Sequence, residues 1–505
     1  MTVSMLMPAN TDKVKCDVPC ILIYQNPMNF KISGKIILLL FAGIFIFSGC
    51  EEQETRVVIF HTNDSHSQLD HFPSLAWLVN NERATEEHVF LVSAGDIFSG
   101  NPIVDYYDPK GYPKIDLMNR AGYNINTIGN HEFDYGLEVL TDRMEQADFP
   151  FILANLNTSG SVLAQPDAYT ILRAGRHRIA FLGLVQLNNQ GIPSAHPGNM
   201  TGIEFFPPVE TAGEYEYLTA RADAVIGLTH HGFVSDTIMA ARYPWFDVII
   251  GGHSHTLTLR PEEHNGVLVT QAGSNMQYVG KVTLVFRGRE LVEKSAAMIR
   301  TSGIEGADSE IAALVEMYND NPALNRVIGR LAEPLKNKDE LGIFITETYR
   351  KYGNFDFAFQ NYGGIRVNSM DGDVRVRDIF RMDPFGNELV GMDLSYPELK
   401  RLIGNSLSSR NTPSVQIAGG TIEVHLAEDR SLRDVKIFDP SGMELVTNRK
   451  YSVAMPSYMA SAFDFEREDQ GTGMGIITAA VLIDHIEKNP DIGITYSTRS
   501  RIVQH

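Results

Sequence analysis

The sequence predicts an α/β protein, and three observations carry that prediction. Residues 55 to about 300 alternate short apolar runs with amphipathic segments, the pattern of strands interleaved with helices. Five of those apolar runs leave into Asp, Asn or His. At 505 residues, 43% hydrophobic and 21% charged, the chain is long enough for two or more domains with separate cores.

The first fifty residues read as targeting sequence. Lys31 and Lys35 form a positive region, Ile36 to Phe47 a twelve-residue apolar run, and Ser48-Gly49-Cys50 a small-residue cleavage site. The run is shorter than the roughly 20 residues that span a bilayer. Its ending resembles the bacterial lipobox, which implies a signal peptide over 28–49, lipid on Cys50 and a short acidic tether over 50–55. Residues 1–27 make little sense ahead of such a leader and are expected to be a mis-called extension, so Cys16 and Cys20 are not read as a metal site. With Cys50 the one remaining cysteine, no internal disulfide is expected in the mature chain. The expected address is that of an exported bacterial lipoprotein, on the outer membrane facing the periplasm or at the cell surface.

The strands that follow are predicted from apolar, β-branched runs, and each ends in chemistry. Val57–His61 leaves into Asn63-Asp64-Ser65-His66, His88–Ser93 into Gly95-Asp96, and the segment from Tyr123 into Gly129-Asn130-His131-Glu132-Phe133-Asp134. Ala224–Leu228 leaves into His230-His231-Gly232, and Phe246–Ile250 into Gly252-His253-Ser254-His255. In open α/β sheets ligands gather beyond the carboxyl ends of the strands. Asp64 and His66, two apart on an extended segment, point to the same side and can grip one ion, and His253 and His255 repeat that arrangement.

The formal charge of −19 argues against nucleic-acid binding by phosphate neutralisation. An anionic substrate must be drawn by bound cations or a local arginine. Phosphate-ester hydrolysis needs a strong nucleophile at neutral pH and charge stabilisation on the equatorial oxygens, and two cations about 3.5–4 Å apart supply both. Mixed Asp, Asn and His ligation without cysteine suits Mn, Zn, Fe or Co.

These five motifs, in order and spacing, resemble the calcineurin-like metallophosphoesterases and, within them, the 5′-nucleotidase family with its UDP-sugar hydrolases. The resemblance covers most of residues 55–290 and implies a four-layer α/β/β/α sandwich. It implies one metal on Asp64, His66, Asp96 and His255 and a second on Asp96, Asn130, His230 and His253, with Asp96 bridging. His231 is the alternative to His230. His131 resembles the family's catalytic histidine, paired with Asp134, while Glu132 is left a supporting hydrogen bond. His61, His71, His88, His196 and His264 are read as ordinary histidines.

The expected domains are 56–303 for the metallophosphoesterase, 304–324 for a linker helix and 325–505 for a smaller α+β domain resembling the 5′-nucleotidase C-terminal domain. There, Asn361-Tyr-Gly-Gly-Ile-Arg366 resembles the family's phosphate and base loop, implying Arg366 for phosphate and Asn361 for the base. Asp383-Pro-Phe385-Gly386 and Met455-Pro-Ser-Tyr458 resemble the segments that supply an aromatic clamp, with Tyr458 where the family often has Phe. Asp464 is retained for the ribose, but the glycines expected around it are lost, and a further arginine expected near Leu335 and Lys336 is missing. Hydrolysis of nucleotides, with 5′-monophosphates foremost, is the expected activity. Cyclic 2′,3′-nucleotides, nucleotide sugars and, in a different class, a non-catalytic binding module are the alternatives. The clamp argues against the family's sulfur-chemistry branch. Expected partners are the small phosphoester and the membrane, with no nucleic acid and no obligate protein.

Overall fold

Alternation along the strands decides the layering. In the computed structural model, β1 (Glu54–Thr62) sends Val57 and Ile59 to one face and Val58 and Phe60 to the other. It lies in a six-stranded sheet with β2 (Val89–Ser93), β3 (Ile125–Thr127) and β4 (Phe151–Ile152), all parallel to it. A second six-stranded sheet is built from β5 (Tyr169–Ala174), β6 (His177–Val185), β7 (Ala224–His230), β8 (Val248–Ile250), β9 (Glu262–His264) and β10 (Val267–Thr270). The first sheet is completed by the long hairpin β11 (Tyr278–Arg287) and β12 (Glu290–Arg300), giving the order β12-β11-β1-β2-β3-β4 against β9-β10-β8-β7-β6-β5.

Val57, Ile59, Val92 and Ile125 meet Phe181, Ile226, Leu228 and Val248 between the sheets. Leu91 faces outward onto the helices Phe72–Arg83 and Tyr112–Ala121, and Leu182 onto Phe233–Arg242. The result is four layers, helix, sheet, sheet, helix. Because β1, β2, β3, β7 and β8 run parallel within their sheets, their carboxyl ends converge on one edge of the sandwich.

Asp308 caps the helix Ser309–Asn319 by accepting from the Glu310 and Ile311 N–H groups. The helix buries Ile311, Val315 and Tyr318 against the first domain's helical layer, and the Tyr318 hydroxyl donates to Asp116 at 2.7 Å. The second domain is built on a five-stranded sheet in the order Val415–Ala418, Phe357–Asn361, Lys450–Pro456, Glu388–Ser395 and Thr472–Ile477. Lys338–Tyr352 and Thr478–Lys488 cover one face, and a separate core around Leu394, Leu402, Ile417 and Val453 fills the other. Tyr106 of the first domain packs on Phe380 of the second, with ring centres 4.3 Å apart.

The structure describes residues 54–504 apart from 189, 409–411, 430, 464 and 494–499. The leader, Cys50 and the start of its tether lie outside the described residues, as does Asp464. Among the described residues no helix is long and apolar enough to cross a membrane.

Candidate metal centre and substrate cleft

The strand-end loops adopt a backbone that ordinary residues avoid. Asp64 (φ 48°), His66 (46°), Asp96 (55°), His253 (77°) and His255 (54°) all stand in the left-handed region. Asp and His tolerate it better than bulky residues, yet such conformations cost on the order of 1–3 kcal/mol each and mark sites where side chains must be aimed. Two glycines let the loops close together. A Cβ on Gly129 would run into the Asp96 carboxylate, and one on Gly252 would lie 2.7 Å from both the Ala94 carbonyl and His230 Nδ1.

Polar side chains then lock the loops. Buried Gln271 donates to the Gly252 carbonyl at 2.5 Å and accepts from the Thr256 N–H at 2.7 Å and the Ser254 hydroxyl at 2.8 Å. Asn63 donates to Asp64 at 2.7 Å and to the Gly273 carbonyl at 2.6 Å. Glu132 accepts from the N–H groups of Asp96, Ile97 and Gly129 at 2.9–3.2 Å. Burial pushes its pKa up to about 7, with the Asp96 charge adding to the effect. Glu132 therefore ties two strand ends together and does not face the cleft.

The side chains so aimed form two adjoining groups. Asp64, His66 and His255 make one, with His255 Nε2 3.4 Å from Asp64 and 3.0 Å from His66 Nε2. Asp96, His230 and His253 make the other, with Asn130 Oδ1 2.9 Å from His253 Nδ1. Asp96 also stands in a third grouping with His66 and His131, so it lies between the two. His230 shows that the donors fit a cation. Its Nδ1 is 2.7 Å from the Ala94 carbonyl, which leaves buried Nε2 as the group 3.0 Å from Asp96 and 3.8 Å from Asp64. Burial alone would lower the His230 pKa, but the Asp96 carboxylate, with Asp64, pushes it up to about 10. Positive charge is favoured at that point. His231 stands apart from both groups, 3.9 Å from Asp236, with burial pushing its pKa down to about 4.

His131 Nδ1 lies 2.6 Å from Asp134 Oδ2, and Ser99 Oγ donates to the same oxygen at 2.5 Å. Burial disfavours the imidazolium, but Asp134 and Asp96 outweigh it and raise the His131 pKa above the ordinary value. Its backbone N–H donates to Asp96 at 2.9 Å, and its Nε2 is 3.8 Å from Asp96.

The second domain closes over this centre. Arg366, half-buried, places Nη2 2.7 Å from His66 Nε2. Phe385 stacks on His131, ring centres 5.3 Å apart and planes 17° apart, with the Arg366 guanidinium 5.6 Å from the Phe385 ring centre. A cleft of about 560 Å³ runs from Asp96, Asn130 and His131 to Phe385 and Tyr458, with Asn361 on its wall. The predicted site residues are thus brought together, apart from Asp464, which is outside the described residues.

Sequence reasoning missed part of the lining. Lys110, Glu388, Ser457 and the Ser194–Asn199 loop all face the cleft, including His196, expected to be ordinary. Asn199 donates to the Asp134 carbonyl at 2.9 Å, and the Ser194 carbonyl accepts from Asn130 at 3.2 Å. The signal available for that loop was its Asn and His content between two turns; nothing marked Lys110.

Comparison with known proteins agrees with this architecture. The calcineurin-like phosphoesterase model matches residues 57–257, and the 5′-nucleotidase C-terminal domain model matches residues 327–465. The chain is 26% identical over 87% of its length to a 5′-nucleotidase of Vibrio cholerae, covering 91% of that protein. It is 26% identical over 86% of its length to the trifunctional nucleotide phosphoesterase YfkN of Bacillus subtilis, but spans only 34% of that longer protein. A 5′-nucleotidase precursor from Thermus thermophilus shares the fold, with a TM-score of 0.77 at 24% identity, over 88% of this chain and 99% of that one. With both domains matched in order, the chain is a phosphate-ester hydrolase belonging to the 5′-nucleotidase family of calcineurin-like metallophosphoesterases.

Proposed function

We propose that the chain hydrolyses nucleotides, 5′-monophosphates foremost, by attack of water or hydroxide on phosphorus. The observation that carries the reading is the single cleft joining Asp96, Asn130 and His131 to Phe385 and Tyr458. It offers a phosphate end and an aromatic end on one path. Asp64, His66, Asp96 and His255 hold one divalent ion, and Asp96, Asn130, His230 and His253 the other. When bound, two such ions supply an activated nucleophile at neutral pH and stabilise charge on the phosphoryl oxygens.

The protein's own groups do the rest. Arg366 presents a guanidinium fork to the phosphate. His131, oriented by Asp134, directs its Nε2 into the cleft and stabilises negative charge developing on the phosphoryl group. Phe385 and Tyr458 flank the base, Asn361 hydrogen-bonds it, and Asp464 takes the ribose. The complete donor set argues against a non-catalytic binding module. The Lys31-to-Cys50 pattern supports export as a lipid-anchored protein, attached to the membrane through Cys50.

Phosphate release tests the reading. Adenosine monophosphate should be hydrolysed after reloading with Mn or Zn, and a chelator should abolish the activity. A panel with cyclic 2′,3′-nucleotides, a nucleotide sugar and an aryl phosphate ranks the substrates. Absence of chelator-sensitive hydrolysis on every member would overturn the proposal.

A further inference from the structure

The cleft carries one carboxylate that neither the metal centre nor the His131–Asp134 pair uses. Glu388 lines it, three residues beyond Phe385, at the start of the strand Glu388–Ser395. Its backbone N–H donates to the Ser457 hydroxyl at 3.1 Å, so it sits between the segments that carry the two clamp rings. Its Oε1 accepts from the Gly475 N–H at 2.5 Å. The neighbouring strand makes room for this carboxylate with glycine, since a Cβ on Gly473 would collide with it. Its other oxygen, Oε2, has no hydrogen-bond donor or cation among the described residues.

An acceptor-only carboxylate facing a cleft for an anionic substrate repels the phosphate end and is matched only by donors at the far end of that substrate. Within the cleft Arg366 stands beside the metal centre and Lys110 also faces it, while Glu388 is the carboxylate on the segments that carry the aromatic rings. We propose that Glu388 is a specificity-determining residue that reads N–H donors on the edge of the nucleobase, selecting guanine nucleotides. Guanine presents a ring N–H and an amino group side by side, a pair that matches a carboxylate. Hypoxanthine keeps the ring N–H but lacks the amino group, and adenine offers the amino group next to a ring acceptor that Glu388 repels. The inference rests on the nucleotide reading of the cleft.

The test is kcat/KM for guanosine, inosine, adenosine and 2′-deoxyguanosine 5′-monophosphates and for an aryl phosphate, on wild type, Glu388→Gln and Gly473→Ala. Wild type should favour the guanosine over the inosine ester by about tenfold, the scale of one charge-assisted hydrogen bond. Glu388→Gln, which keeps an oxygen for the Gly475 N–H, should erase that ratio. Gly473→Ala, which displaces the carboxylate without altering it, should reduce the ratio as well. A guanosine-to-inosine ratio unmoved in both variants would overturn the proposal. So would a loss in Glu388→Gln equal for all ribonucleotides and absent for the deoxynucleotide, because Glu388 would then be reading the ribose. Hydrolysis of the aryl phosphate with no turnover of any nucleotide would instead sink the nucleotide reading itself.

Discussion

The two ends of the cleft are built on different terms. At the metal end, nine side chains come from five strand-end loops, Asp64, His66, Asp96, Asn130, His131 and His230 among them are buried, and five of the nine residues accept left-handed backbone to aim them. At the nucleoside end, Phe385, Asn387, Glu388 and Tyr458 are only partly buried and come from two short stretches of the second domain, around the starts of the strand Glu388–Ser395 and the helix Ser457–Ala462. Chemistry that moves charge requires donors fixed to fractions of an ångström, and the sandwich edge supplies that rigidity. Recognition of a base between rings tolerates adjustment, so its residues can vary while hydrolysis persists.

The sharpest way to break this contrast is at His131, where the two ends touch through the Phe385 ring. His131→Ala should lower turnover of nucleotide and aryl phosphate alike, by about 10²–10⁴-fold for loss of a positioned acid/base group. Metal content, measured by elemental analysis, should stay at the wild-type level. Loss of ions along with activity would make His131 a ligand and dissolve the distinction between it and Asn130.

A smaller effect is expected at the other end. Phe385→Ala should cost nucleotides about 1–3 kcal/mol of stacking per base, read as a fall in kcat/KM relative to the aryl phosphate. If the nucleotide preference is unchanged, Phe385 serves only to pack against His131 and Arg366.

The same contrast governs what could be read from sequence. Asp64, Asp96, Asn130, His230 and His253 were legible because parallel strands bring their carboxyl ends to one edge, and short-range order therefore encodes a long-range cluster. The four-layer fold was legible because alternation in runs such as Val57–Phe60 fixes which residues go between sheets. Gln271 was not, since its role lies in three hydrogen bonds to a loop some fifteen residues away. Lys110 was missed for a related reason, since it faces the cleft beside Phe385 of the second domain and no spacing rule carries information across that interface, while Glu388 reads in the sequence as an ordinary acidic residue at a strand start.

Behind the rigid end lies a buried lysine. Lys114 is 1% exposed, donates to the Gln68 carbonyl at 3.1 Å and lies 4.7 Å from the Phe72 ring centre, behind the His66 loop. Burial pushes its pKa down to about 7, with the Glu132 charge offsetting part of the effect. Between about pH 7 and the ordinary lysine value, the unfolded chain keeps a proton that the folded protein has released. Folding stability should therefore rise with pH across that window, by up to about 1.4 kcal/mol per unit from this group. Lys114→Met removes the group's titration and its desolvation penalty. Urea unfolding at pH 7, 8 and 9 should show a higher midpoint for the variant at pH 7 and a flatter rise above it. Identical slopes for the two proteins would mean that Lys114 stays charged when folded, held by the Gln68 carbonyl and the Phe72 ring.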